Sequence, residues 1–229
     1  MRKEIIDNVD VVALGLDALA EEVVFTGSSI IPFLVIHDRR GEIRPTKDID
    51  CVIDIASYVK YAKLEERLRQ LGFRHAPEKD GGVICRWEYR GLLVDVMPTE
   101  NVLGPTNSWF RDGMKHAIRQ VLPSGREISI FSAPYFIAAK LDAFHGRGKG
   151  DIRFSQDMED IVLVLAEGED VEELLLNAAP KVRRYLAQQF HALLASGDMA
   201  SALPGMFSGN HEIKKLLADK ILNVMSRLS

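Results

Sequence analysis

Three places in the chain carry side chains able to do phosphate chemistry. The first is Val23-Val24-Phe25-Thr26-Gly27-Ser28-Ser29, a strand-like run that breaks at a glycine and hands two serines to a helix start. Glycine allows a sharp turn and a close backbone approach to a ligand. The N–H groups at the start of the helix suit a phosphate. The second place is Arg44-Pro45-Thr46-Lys47-Asp48-Ile49-Asp50. Side chains alternate along a strand, so Asp48 and Asp50 share one face and Ile49 turns to the core. Two neighbouring carboxylates repel each other and are best tolerated around a cation. The third place is Asp95, alone in the apolar run Leu92-Leu93-Val94-Asp95-Val96-Met97. A carboxylate there is costly to bury unless it is paired or bound to metal. Hard oxygens on one face near a phosphate-binding turn suit Mg²⁺, or Mn²⁺, holding a nucleoside triphosphate (NTP). The bland alternatives are an ordinary helix cap at Gly27-Ser28, a turn cap at Asp48 and a lysine partner for Asp50.

Alternating strands and helices must hold these residues. Ile5, Val9, Val12, Leu16 and Leu19 recur at helical spacing and predict a helix over 3–20, with Asp7 and Asp10 on its wet side. Strands are predicted at Val23–Thr26 and Asp48–Ile55, with a short helix Ser29–Ile36 and a polar loop with a turn at Gly41 between them. Ser57 is expected to cap a helix to Leu71, with Val59, Leu64, Leu68 and Leu71 as its apolar stripe. A hairpin turning at Lys79–Gly82 leads to the strand Val83–Tyr89, and Gly91 turns the chain into the Asp95 strand. Asn107 is expected to cap a helix to Ile118, followed by strands near 119–122 and 127–131. Beyond Ser132 the pattern is helical, with 196–210 read as a glycine-rich loop. The prediction is an α+β fold, a catalytic domain over 1–131 and a helical domain over 132–229 that contributes to a nucleotide cleft.

Gly-Ser, then Asp-x-Asp, then a lone Asp on a later strand resembles the pattern of the polymerase-β-like nucleotidyltransferases. Lys140-Leu141-Asp142-Ala143-Phe144, then Arg147, Lys149 and Asp151, then Ser155-Gln156-Asp157-Met158-Glu159-Asp160-Ile161 is similar to the second signature block of the AbiEii-type abortive-infection nucleotidyltransferase toxins. Arg44-x-Thr46-x-Asp48-Ile49-Asp50 is similar to that family's acidic motif. The resemblance covers roughly residues 20–165. It implies a nucleotidyltransferase-type mixed sheet flanked by helices, and attack of a hydroxyl on the α-phosphate with release of pyrophosphate. Asp48 and Asp50 would hold two Mg²⁺ ions about 3.5–4 Å apart. Asp95 would complete the site of the ion that activates the hydroxyl and help take its proton. Gly27 and Ser28, with Ser29 as a further candidate, would receive the β- and γ-phosphates. Lys140 would reach the triphosphate, with Arg147 and Lys149 in a basic loop beyond it. The block's essential acid would be Asp160 or Asp157. The family's usual Arg before the first acid is Gln156 here, which departs from the pattern of local pairing. The resemblance further implies an RNA acceptor such as tRNA, a toxin role and a cognate antitoxin. A small-molecule or protein acceptor, or an NTP-binding module without turnover, are the alternatives.

Composition fits this reading. Of 229 residues, 47% are hydrophobic and 27% charged, as in ordinary globular chains. No apolar run approaches a membrane span, and the N-terminus has no signal-peptide core, so the expected location is cytoplasmic. Cys51 and Cys85 have no metal-binding spacing and are expected in strands as small apolar residues. Net charge is −4, yet residues 178–229 hold seven Lys/Arg and three acids. That basic end could meet a polyanion, or simply be a solvated helical face.

Overall fold

The computed structural model describes residues 1–36, 43–76, 85–146 and 151–229. The chain divides into two compact units, one made of Met1–Pro32 and Arg44–Ser132, the other of Phe33–Ile43 and Ala133–Ser229. Among the described residues, no helix is long and apolar enough to cross a membrane.

The first unit carries α1 (Arg2–Leu16), β1 (Val23–Thr26), then, past α2 (Ile31–Leu34), which crosses into the second unit, β2 (Asp48–Ile53), α3 (Tyr58–Gln70), β3 (Arg74–His75), β4 (Arg86–Tyr89), β5 (Leu92–Pro98), α4 (Phe110–Lys115), β6 (Ile118–Val121) and β7 (Glu127–Ile130). The strands form one mixed sheet in the order β3-β4-β5-β2-β1-β7-β6. β2 runs parallel to β5 and antiparallel to β1, and lies at the centre of the sheet. Central strands here are near-continuous apolar runs: Phe25, Ile49, Cys51, Val52, Val94 and Val96 are fully buried. α1 covers the sheet with Ile5, Val9, Val12, Ala13 and Leu16. Gly15 lets it approach β4, because a Cβ there would meet the Tyr89 ring at 2.4 Å.

The second unit is helical: α5 (Ala133–Gly146), α6 (Gln156–Glu167), α7 (Val171–Leu176), α8 (Pro180–Ala195), α9 (Asp198–Ala202) and α10 (His211–Leu228). Ser155 caps α6 by accepting from the Met158 N–H. Val35 bridges to Gly168, and the Ile36 N–H donates to the Glu167 carbonyl at 3.0 Å, tying the returning segment to the end of α6.

Several expectations need correction. Helix α1 stops at Leu16 and a 3₁₀ segment, Asp17–Glu21, replaces its last turn. Asp10 is not on a wet face: it is buried and accepts from the N–H and hydroxyl of Ser124, a partner 114 residues away. In α3 the buried stripe is Tyr61, Leu64 and Leu68, whereas Val59 is 69% exposed. Tyr61 lies three residues before Leu64, so an aromatic takes the place that periodicity assigned to valine. Asn107 stabilises the approach to α4 by accepting from the Trp109 N–H, and the helix itself is only six residues long. The stretch 196–210 contains α9 and a 3₁₀ turn, held by buried Met199 and Leu203. The Gly41 turn and the Lys79–Gly82 turn lie outside the described residues.

Both cysteines are free and buried, in or beside the central strands. Burial, then the charge of Asp50 and of Asp95, pushes the Cys51 thiol well above its ordinary 9.0. Burial and the nearby Asp95 push Cys85 up to about 12. The unfolded chain therefore loses these protons first as pH rises. Stability from both neutral thiols is complete below pH 9.0 and declines above it, for Cys85 towards about 12. We expect urea midpoints measured across this range to fall with pH, and to fall less steeply in the Cys51→Ala/Cys85→Ala variant.

Candidate active site

Strand register gathers the acidic residues. Thr46 prepares the entry to β2: its hydroxyl accepts from the Asp48 N–H at 3.1 Å and donates to the Asp48 carbonyl at 3.2 Å. Asp48 and Asp50 then share a face, while Ile49 between them is fully buried. On β5, Asp95 stands in register with Asp50; on β1, Thr26 does the same. In-register residues of adjacent strands point to the same face of the sheet, so Asp50 and Asp95 are neighbours by construction. The Asp48 side chain is 50% exposed and that of Asp95 only 9%.

Gly27 follows Thr26 at the edge of this face. Its φ of 67° and ψ of −170° belong to a region essentially reserved for glycine. Space demands glycine as well, since a Cβ would lie 1.9 Å from Asp50 Oδ2. The turn and the carboxylate are thus fitted against each other. Ser28–Ile30 form a 3₁₀ turn, followed by the four-residue α2. Such a short helix develops little macrodipole, so affinity for a phosphate would have to come from local groups of the turn. Ser29 is fully buried, and its hydroxyl donates to the Thr26 carbonyl at 3.2 Å. That hydroxyl stabilises the turn.

Arg86 is a site residue that the sequence reading missed. It lies opposite Asp95 in the β4–β5 ladder and grips both carboxylate oxygens, Nε to Oδ1 at 2.8 Å and Nη2 to Oδ2 at 2.7 Å. The same Nη2 stands 3.9 Å from Asp48 Oδ2. Hydrogen bonding to Asp95, with the fields of Asp95, Asp48 and Asp50, raises the guanidinium's pKa against the opposing effect of burial. A signal for Arg86 was present. Arg90 and Gly91 both have positive φ, 50° and 79°, as a two-residue hairpin turn demands. Counting back from that turn puts Arg86 across from Asp95.

The donor set fits a hard divalent ion at Asp48 and Asp50, two carboxylates on one face beside a turn that glycine keeps open. The carboxylate of Asp95 is held by Arg86. Among the described residues, no three His, Cys, Asp or Glu side chains form a group that could hold a metal ion.

Lys140, Asp157 and Asp160 come together within the second unit. Lys140 on α5 reaches Asp157 Oδ1 at 3.1 Å and Asp160 Oδ2 at 2.7 Å on α6. All three are largely withdrawn from water, with side-chain exposures of 13, 2 and 4%. Asp157 and Asp160 lie one helical turn apart, so one ammonium serves both. Asp151 pairs with Arg153 at the surface. Arg147 and Lys149 lie outside the described residues.

The sheet and the helices that follow it have the architecture of nucleotidyltransferase-like proteins. The chain is similar in structure to an antigenic nucleotidyltransferase-like protein from Paracoccidioides brasiliensis, with 20% sequence identity, a TM-score of 0.50 and coverage of 87% of this chain and 92% of that one. Weaker likenesses are to the antibiotic-resistance factor ANT(2'')-Ia (16% identity, TM-score 0.45, 86% of this chain and 98% of that one) and to JHP933 from Helicobacter pylori (10%, 0.42, 98% and 91%). No protein-family model matches the chain, and no curated protein matches it in sequence. At 20% identity the first likeness defines the fold and not the reaction.

Two variants test these arrangements. Gly27→Ala must strain the backbone by about 1–3 kcal/mol and displace Asp50. We expect a melting temperature lower by several degrees and a loss of divalent-ion binding, read by calorimetry. Lys140→Ala removes the cation shared by two buried carboxylates, at a cost of about 3–5 kcal/mol. The expected drop in melting temperature is on the order of 10 °C. Adding Asp157→Asn and Asp160→Asn should recover part of it.

Proposed function

We propose that this protein is a divalent-metal-dependent nucleotidyltransferase, moving a nucleoside monophosphate from an NTP to an acceptor hydroxyl and releasing pyrophosphate. The observation that supports it most directly is the register of Asp50 with Asp95, with Asp48 two residues earlier on the same face and Gly27 fitted against Asp50. A metal ion held by Asp48 and Asp50 would act as a Lewis acid on phosphate oxygens and neutralise their charge. The chain's own part is positioning and electrostatics, because phosphoryl chemistry asks for little else. Asp48 and Asp50 supply hard oxygens from a rigid central strand. The Gly27-Ser28 turn is assigned to the β- and γ-phosphates. Asp95, once released by Arg86, is assigned the proton of the attacking hydroxyl.

The finer reading is a toxin of the AbiEii type acting on RNA such as tRNA, with a cognate antitoxin. The motif resemblance supports it, as does the excess of Lys/Arg in residues 178–229. On the same basis Lys140, Arg147 and Lys149 are assigned to the triphosphate, and Asp157 or Asp160 to the essential acid. The second reading is an NTP-binding module without turnover. It is favoured by one observation: both oxygens of Asp95 are already engaged.

Incubation with α-labelled NTPs, Mg²⁺ and separate pools of RNA, protein and small metabolites tests both. The transfer reading expects label in one pool, pyrophosphate release, and at least a 100-fold loss in Asp48→Asn/Asp50→Asn. A rise in melting temperature with Mg²⁺ and NTP, but no pyrophosphate, would leave the binding module as the reading.

A further inference from the structure

Arg86 reaches two of the three carboxylates at the candidate site. Its fork closes on both oxygens of Asp95 at 2.7 and 2.8 Å, and one nitrogen leans to within 3.9 Å of Asp48. The contact is built into the sheet. β4 and β5 are joined by a two-residue turn, and the antiparallel register sets Arg86 directly across from Asp95. The arginine side chain is 31% exposed and that of Asp95 9%, so the guanidinium has room to swing off the carboxylate towards solvent or a ligand.

We propose that Arg86 is a resident counter-ion of the site, competing with a divalent cation for Asp95, so that it must give up its grip before the third carboxylate can join Asp48 and Asp50. This rests on the reading of Asp48 and Asp50 as metal ligands. Three carboxylates on one sheet face repel one another, and the fold needs positive charge among them in every state. In the ion-free state the guanidinium supplies it. A planar fork matches a carboxylate on both oxygens, which a lysine at that position could not do. A dication placed on the same two oxygens would face the guanidinium's charge at contact distance. The two cations therefore exclude each other on Asp95, whose two oxygens the guanidinium occupies.

The consequence is coupling between metal and phosphate. A released guanidinium has lost a bidentate partner, and the phosphates of an NTP are the anions suited to replace it. Metal alone then binds against the clamp, while metal with NTP gives Arg86 somewhere to go. By linkage each would strengthen the other's binding by the same factor. Metal would bind weakly at the site until a triphosphate is present.

The test is Mn²⁺ binding without nucleotide or acceptor, read as the loss of the free-ion electron paramagnetic resonance signal. Wild type is compared with Arg86→Lys, Arg86→Met and Arg86→Met/Asp95→Asn. The clamp predicts about 10-fold tighter Mn²⁺ binding in Arg86→Met and a smaller but clear gain in Arg86→Lys. It predicts no gain in the double variant, where the contested ligand is gone. Without metal, Arg86→Met should melt several degrees below wild type, and Mn²⁺ should close most of that gap. If Arg86→Met does not fold, Arg86→Lys decides, because it keeps the charge and loses only the fork. Equal Mn²⁺ affinity in Arg86→Lys and wild type would overturn the proposal, since the effect would then be the field of a charge and not a clamp. Failure of every form to bind Mn²⁺ would overturn it too. Tighter Mn²⁺ binding with no nucleotide transfer by any form would support the clamp while removing the transfer reading. Transfer by wild type without any Mn²⁺ gain would do the reverse.

Discussion

Three carboxylates held on one face of a sheet repel one another, and much of the first unit follows from how that repulsion is managed. Asp48 remains half in water, where it costs least. Asp50 is seated against a glycine whose backbone conformation no other residue adopts easily. Asp95, the most deeply buried, receives a bidentate guanidinium from the neighbouring strand. The most deeply buried of the three is the one that receives the bidentate cation, as the rising cost of desolvating a charge requires.

The same problem recurs in the second unit with a different solution. Asp157 and Asp160 are buried on α6, and Lys140 from α5 bridges them. A lysine serves here because its compact charge can sit between two acids, whereas Asp95 needs a planar fork for its own two oxygens. Lys140, Asp157 and Asp160 thus form an internal ion-pair cluster that ties α5 to α6.

The sheet topology explains why the site is at the middle of the first unit. β2 is hydrogen-bonded on both sides, to β1 and β5, so its alternation of Asp and apolar residues cannot slip without turning Ile49 and Cys51 away from the core. Packing thereby fixes the spacing of the acids. The fold is similar to that of a nucleotidyltransferase-like protein at 20% identity.

Local chemistry was enough to determine a good deal. Alternation made Asp48 and Asp50 neighbours around buried Ile49, Gly27 marked a sharp turn, and Ser57 marked a helix start that it does cap. The mixed α+β architecture also follows from the order of strand and helix patterns. Tertiary structure decided the rest, because burial and pairing depend on residues far away in the chain. Asp10 is polar in a helical pattern, yet it is buried by Ser124, which nothing in its own helix foretells. Lys140 sits in an apolar stretch, but only the meeting of α5 with α6 supplies its two acids. Arg86 lies between these cases: the hairpin count from Gly91 places it opposite Asp95, while the closing of its fork on that carboxylate is a matter of side-chain geometry that only the folded sheet contains.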